Sequence, residues 1–310
     1  MNQKKCGIIH KLVKKDIIEF IKPGVKLYDI RRKIETLINK YSRSSINSYD
    51  YNSSAIAFPV GLSLNNIAAH HSPFSYENTI YTENDILKID YGVQFKGEMV
   101  DAAFSITHNP ELKKLKEISE NATNLAIKQA GVDADLNDIG SNIEEYISSN
   151  EIELKGKVYP IIPCKDLCGH QILPFKIHGL KVIPNVKVSK LFYRKRMEDG
   201  EIYAVETFPT TGSGILKKGK NNSHYMINYF DNIPKKYKDN QTLNQIMKKR
   251  NTLPWHLDWL SGEINLNELK NLVDKNIIHE YPPLIDKEKS FVAQTEHTIG
   301  IFENGVIIYT

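Results

Sequence analysis

Cysteine is scarce in this chain. Three in 310 residues, Cys6, Cys164 and Cys168, cannot make a disulfide framework and fit a reducing compartment. Cys164 and Cys168 stand four apart, but no second Cys/His pair completes a structural zinc site, so they read as buried or idle thiols. Long apolar runs are missing as well, which excludes a transmembrane helix. The opening MNQKKCGIIHKLVKK lacks the apolar core of a secretory signal, so a cytoplasmic enzyme is expected. Charge of one sign is weak: a formal net charge of +4 spread over this length gives no case for a nucleic-acid partner. Lysine-rich stretches such as Lys235-Lys236-Tyr237-Lys238 read as solvated surface. There is no internal repeat and no low-complexity tract.

What is present is enough apolar material, 41% of residues, to build a packed core. Ile8, Ile9, Leu12, Val13, Ile17 and Phe20 recur at helical spacing until Lys22-Pro23-Gly24 stops the run. A second helix is expected from about Tyr28 to Tyr41, then strands and turns from Ala55 to Thr107. Two amphipathic helices follow at 110–131 and 134–150, the first opened by Asn109-Pro110 and closed by Gly131. Strands resume around 158–217. Residues 229–280 are Lys/Asn-rich and helical in pattern (TLNQIMKK, NLNELKNLVDKN), and they read as an insertion within a single catalytic domain spanning 1–310. A final strand pair, 291–301 and 305–309, turns at Glu303-Asn304-Gly305. Helices and antiparallel strands in separate runs indicate an α+β fold.

Five residues break the apolar strands. They are Asp90 in ILKIDYGV, Asp101 in EMVDAAFS, His170 in LCGHQIL, Glu206 in IYAVETF and Glu296 in VAQTEHTI. An ionised carboxylate in an apolar strand is costly unless something compensates it, and five such positions together point to a shared cation. Asp90 and Asp101 lie on two runs joined at Phe95-Lys96-Gly97. With a two-residue loop, even positions on the first strand share a face with odd positions on the second, so the two acids point the same way, either directly opposite or diagonal. Both could then reach a pair of ions about 3.5–4 Å apart. Four carboxylates and one imidazole make a hard, oxygen-rich set, which suits Mn, Fe, Co or Mg and admits Zn. The chemistry expected is metal-assisted hydrolysis. Further histidines stand nearby: His70 in NNIAAHHSP and His178, eight positions after His170. Neutral imidazoles beside such a site are suited to contacting a carbonyl or an oxyanion. His71, His224 and His297 cannot be ranked by their chemistry.

Seven motifs occur in order: AFPVGLSLNNIAAHHSP; KIDYG, its Asp eleven positions before Asp101; CGH, with IHG following; GEIYAVETF; SHYM; YPPL; and QTEHTI. Together they resemble the type 2 methionine aminopeptidases over about residues 8–310. The resemblance implies the pita-bread fold, an α+β architecture of two pseudo-symmetric halves around a metal site. It implies that Asp90, Asp101, His170, Glu206 and Glu296 ligate two divalent ions drawn from Co, Mn, Fe, Zn or Ni, with Asp101 and Glu296 bridging both. Glu206 would also handle the proton of the nucleophilic water. His70 would contact the scissile amide and His178 the carbonyl oxygen. Phe58, Gly61, Ile177, Phe208, His224 and Tyr281 match positions lining the pocket for the initiator methionine.

The type 2 assignment rests on the insertion, since Glu296 follows Glu206 by ninety positions and type 1 enzymes lack that segment. The implied function is removal of the N-terminal methionine from nascent polypeptides, by a monomer, with transient ribosome contact the one further partner and no membrane involved. Eukaryotic members often carry a long charged N-terminal extension. The chain starts almost at the catalytic domain, so a ribosome role belonging to that extension is not expected. GHQILPFKIHG departs from the more polar family pattern, and Pro174 removes a backbone donor there. The rival readings are an X-Pro aminopeptidase or prolidase-like enzyme, and a non-catalytic pita-bread binding protein. The complete ligand set and His70 oppose the latter.

Overall fold

The computed structural model describes residues 2–45, 48–189, 193–228 and 233–310. The five strand-borne residues divide between two antiparallel sheets. The first has three strands in the order Gly61–Leu64, Ile86–Phe95, Glu98–Thr107. The second has five, in the order Gly305–Ile308, Thr295–Phe302, Ile202–Thr207, Cys168–Ile172, Val182–Pro184. Each sheet carries two helices: Asn2–Phe20 and Leu27–Ser42 on the first, Lys113–Gln129 and Leu136–Ser148 on the second. Two helix-covered sheets meeting at one seam is the pita-bread arrangement, an α+β fold as expected.

Local chemistry accounts for the element ends. Gly24, at φ +100°, turns the chain after the first helix. Asn109 caps the Pro110 turn by accepting from the Glu111 amide, and Asp135 accepts from the Asn137 and Asp138 amides. The first helix buries only part of the apolar stripe its sequence suggested. Cys6, Ile9, His10, Val13 and Ile17 are buried, while Ile8 and Leu12 face solvent. Two adjacent stripes of this helix are apolar, and only packing chooses between them. The last strand begins at Thr295 rather than 291. Helices do form at Gln241–Arg250 and Leu266–Asp274. A small sheet, in which His224–Ile227 lies between Trp255–His256 and Ile278–Tyr281, joins them. Leu243, Ile246, Trp255, Leu272 and Ile278 share one apolar core with the first two helices. Residues 229–232 of the expected insertion lie outside the described residues. No helix among the described residues is long and apolar enough to cross a membrane.

The seam between the two sheets runs along Glu98–Thr107 and Thr295–Phe302, and hydroxyl groups close it. Thr298 Oγ1 accepts from the Asp101 amide at 2.7 Å and donates to the Asp101 carbonyl at 2.6 Å. Ser105 Oγ accepts from the Gln294 amide at 2.9 Å and donates to the Gln294 carbonyl at 2.8 Å. One hydroxyl thus satisfies two buried backbone groups at each crossing. Replacing Thr298 by valine keeps the shape and strands both Asp101 groups. The expected loss is about 2 kcal/mol, read as a lower urea midpoint with an unchanged slope; an unchanged midpoint would show that the seam does not depend on this hydroxyl.

Candidate metal centre

The hairpin bearing Asp90 and Asp101 turns on Lys96-Gly97, both at positive φ (52° and 81°), with Phe95 paired to Glu98. That is the two-residue turn whose twist matches antiparallel strands. The register pairs Asp90 with Ala103 and Asp101 with Gly92, so the acids share a face and lie diagonally. In the second sheet Glu206 pairs directly with Glu296, and His170 pairs with Ala204, which places His170 diagonal to Glu206 on the same face. His297, one residue on from Glu296, points to the other face and lies 3.2 Å from the Thr310 hydroxyl. His71 is also set apart: its Nδ1 donates to the Leu62 carbonyl at 2.7 Å.

Across the seam the five residues converge. His170 Nε2 lies 3.6 Å from Asp101 Oδ2 and 3.9 Å from Glu206 Oε1. Ligand atoms of Asp101, His170 and Glu296 all fall within 4.8 Å of one another. Asp90 Oδ1, Asp101 Oδ1 and both oxygens of Glu296 are buried without a hydrogen-bond partner. Among the described residues no lysine or arginine forms an ion pair with any of the four acids. Burial first, and mutual repulsion second for the other three, raises all four carboxyls: Asp90 to about 6, and Asp101, Glu206 and Glu296 well above the carboxylate range. Burial pulls His170 down to about 4, so it is neutral and able to ligate. Orphaned acid oxygens plus a neutral imidazole are the donor set of a divalent cation, and the residues fit one.

A single pocket joins this cluster to an apolar wall. Around it stand all thirteen residues singled out in the sequence: the four acids and the imidazole above, His70, His178, Phe58, Gly61, Ile177, Phe208, His224 and Tyr281. Pro59, Ala69, Leu167, Pro254 and Gln294 also line it, and sequence reasoning missed them. The first four are indistinguishable from core residues in a sequence. Gln294 carried a weak signal, an amide two positions before Glu296 and so on the same strand face; its Nε2 donates to Glu206 Oε2 at 3.2 Å and Asp90 Oδ2 at 3.4 Å.

The wall is shaped by close approaches. A Cβ on Gly92 would fall 2.2 Å from the Phe58 ring, so glycine opposite Asp101 makes room for that ring. His224 and Tyr281 arrive together, paired in the small three-stranded sheet. Tyr281 stands edge-on to His70 at 5.6 Å, and His178 edge-on to His170 at 4.6 Å. His70 holds φ at +66°, a conformation a non-glycine residue adopts at a cost. The GHQILPFKIHG departure is a tight turn: Leu173 and Lys176 exchange both backbone bonds around Pro174-Phe175, and Thr252 donates to the Phe175 carbonyl. Pro174 is exposed, so its missing donor strands nothing.

Residues 2–236 match the model of metallopeptidase family M24. The chain is 40% identical over 303 residues to methionine aminopeptidase 2 of Saccharomyces cerevisiae (strain ATCC 204508 / S288c), covering 96% of this chain and 71% of that protein. To methionine aminopeptidase 2 of Sclerotinia sclerotiorum it is 38% identical over 307 residues, covering 97% and 68%. The chain belongs to metallopeptidase family M24, as a type 2 methionine aminopeptidase. Solved structures show the shared fold. A thermophilic Arx1 superposes with a TM-score of 0.79 at 18% identity, covering 99% of this chain and 89% of that one. Methionine aminopeptidase from Thermotoga maritima gives 0.66 at 18% identity, covering 99% and 94%. X-Pro aminopeptidase from Thermotoga maritima shares the fold too, with a TM-score of 0.58 at 14% identity. The fold therefore does not separate the rivals, whereas sequence identity over nearly the whole chain does.

Metallopeptidase membership carries divalent-metal binding with it, and the raised carboxyls give that binding a pH signature. Acids whose folded pKa lies above the unfolded value hold protons near neutrality, and an incoming cation must displace them. Titrating Mn²⁺ into the apo-methionine aminopeptidase at pH 6.5, in buffers of different ionisation enthalpy, should register proton release. The thermal stabilisation by Mn²⁺ should also shrink as pH falls toward Asp90's value of about 6. Binding without proton release would mean that the acids are already ionised in the empty site.

Proposed function

We propose that in this methionine aminopeptidase Asp90, Asp101, His170, Glu206 and Glu296 would hold two divalent cations, drawn from Co, Mn, Fe, Zn or Ni. The observation that carries the reading is the set of partnerless acid oxygens facing one another beside an apolar pocket. When bound, such cations offset the charge of the acids and bring the pKa of a water down toward 7. The reaction is hydrolysis of the first peptide bond, releasing methionine. Glu206 takes up the proton of the attacking water at its carboxylate and passes it to the departing amine of the second residue. His70 is pulled down to about 4 by burial and its Nδ1 has no partner, so it meets the scissile amide as a neutral imidazole. His178 is held neutral by burial and faces the carbonyl oxygen as charge develops there.

Phe58, Gly61, Ile177, Phe208, His224 and Tyr281 line the slot for the methionine side chain, whose burial contributes about 2 kcal/mol. On this reading residues 1–310 act as one catalytic domain with 229–280 inserted. The enzyme is a cytoplasmic monomer whose substrates are nascent-chain N-termini, met in transient contact with the ribosome. Competition among Met-Ala-Ser, Leu-Ala-Ser, Lys-Ala-Ser and Ala-Pro-Ala peptides tests it: kcat/KM is expected to be highest for Met-Ala-Ser. Equal turnover of the lysine peptide would reject the slot, and preferred cleavage of Ala-Pro-Ala would favour an X-Pro enzyme. His70→Ala should lower kcat by 10²-fold or more, on the order of a general acid–base or positioning group, with metal content unchanged. Loss of metal in that variant would make His70 a ligand instead.

A further inference from the structure

We propose that Gln294 is a positioning residue that sets which oxygen of Asp90 and which of Glu206 is turned toward the cations; the inference rests on the cation-binding reading above. Gln294 is 1% exposed. Its backbone is clamped on both sides of the peptide by Ser105 Oγ, which accepts from its N–H at 2.9 Å and donates to its carbonyl at 2.8 Å. From that fixed point the side-chain amide reaches between the two sheets. It donates to Glu206 Oε2 at 3.2 Å and to Asp90 Oδ2 at 3.4 Å. An amide NH₂ has two hydrogens, and here each has a carboxylate from a different sheet. The opposite orientation would set the amide oxygen against two acids, so the chemistry decides the assignment.

The consequence lies in the oxygens left over. Asp90 Oδ1 has no partner, and Glu206 Oε1 lies 3.9 Å from His170 Nε2 inside the cluster. With Oδ2 and Oε2 engaged by the amide, rotating either carboxylate out of place breaks a charge-assisted bond. Gln294 is also the neutral donor that lets these two acids from opposite halves approach one pocket before any cation arrives. A ligand's orienting partner of this kind is worth about 10–100-fold in metal affinity.

The test is calorimetric titration of Mn²⁺ into the apoenzyme, comparing the wild type with Gln294→Met, Ser105→Ala and Asp101→Asn. Gln294→Met keeps the side-chain volume and removes the donor. Its expected Mn²⁺ affinity is lower by about 10–100-fold, with KM for Met-Ala-Ser little changed at saturating metal. Ser105→Ala frees the Gln294 backbone and this crossing of the seam while leaving the amide and the acids chemically unchanged, so a several-fold loss in the same direction is expected. Ser105→Ala alone carries the test if Gln294→Met does not fold by near-ultraviolet circular dichroism. Wild-type affinity in the folded variants overturns the inference. So does a raised KM with affinity unchanged, which would make Gln294 a substrate contact. A wild type that takes up no Mn²⁺, and so is indistinguishable from Asp101→Asn, would instead overturn the cation-binding reading itself.

Discussion

Two hydroxyl groups decide where everything else in this molecule stands. The two sheets meet where the edge strand Glu98–Thr107 runs against Thr295–Phe302, and there Asp101 and Gln294 are buried. Thr298 and Ser105 each answer one donor and one acceptor with a single oxygen. A buried backbone group left unpaired costs as much as a lost hydrogen bond, so the register of one sheet against the other has little freedom. That register brings the diagonal pair Asp90 and Asp101 against the facing pair Glu206 and Glu296. The arrangement is electrostatically unfavourable when empty. The core holds it in place, and burial together with mutual repulsion drives the carboxyls toward the protonated form. The site is preformed for a cation because the surrounding structure overrides the repulsion.

The same logic of enforced placement extends to the pocket. His70 and His178 are deeply enough buried to be neutral at physiological pH, which leaves them able to contact an amide or an oxyanion without carrying a charge of their own. Tyr281, from the strand Ile278–Tyr281 that pairs with His224–Ile227, stands 5.6 Å from one and 5.8 Å from the other, so this small sheet contributes directly to the geometry around both imidazoles. The apolar wall and the charged cluster each draw residues from both parts of the molecule, Phe58 and Gly61 with Ile177 and Phe208 for the wall, and Gly92 and Phe58 mark where the two touch.

Much of this was legible in the sequence, for reasons that are local. The type of turn at Lys96-Gly97 makes the parity argument for Asp90 and Asp101 hold, and it does. Asn109-Pro110 and the Glu303-Asn304-Gly305 turn marked real element ends. The first helix was less legible, because Ile8 and Leu12 form an apolar stripe as good as the one that is buried. The small sheet of His224–Ile227, Trp255–His256 and Ile278–Tyr281 went unseen, since its strands are short and pair across long sequence separations. Pro59, Ala69, Leu167 and Pro254 went unseen because a pocket wall and a core have the same composition.

By itself, then, the sequence singled out the polar residues set in apolar strands and the shared strand face of Asp90 and Asp101. Side-chain direction in a strand alternates with period two, so the face follows from counting. Only the tertiary structure decided that Asp90 and Asp101 are diagonal rather than opposite, and that Glu206 and Glu296 lie across a seam from them. It also decided that the Gln294 amide stands between Asp90 and Glu206. The diagonal follows from the register of one hairpin, while the other two facts depend on contacts between segments about ninety to two hundred positions apart. Such contacts are set by which buried hydrogen-bonding groups must find partners, and no local periodicity encodes that.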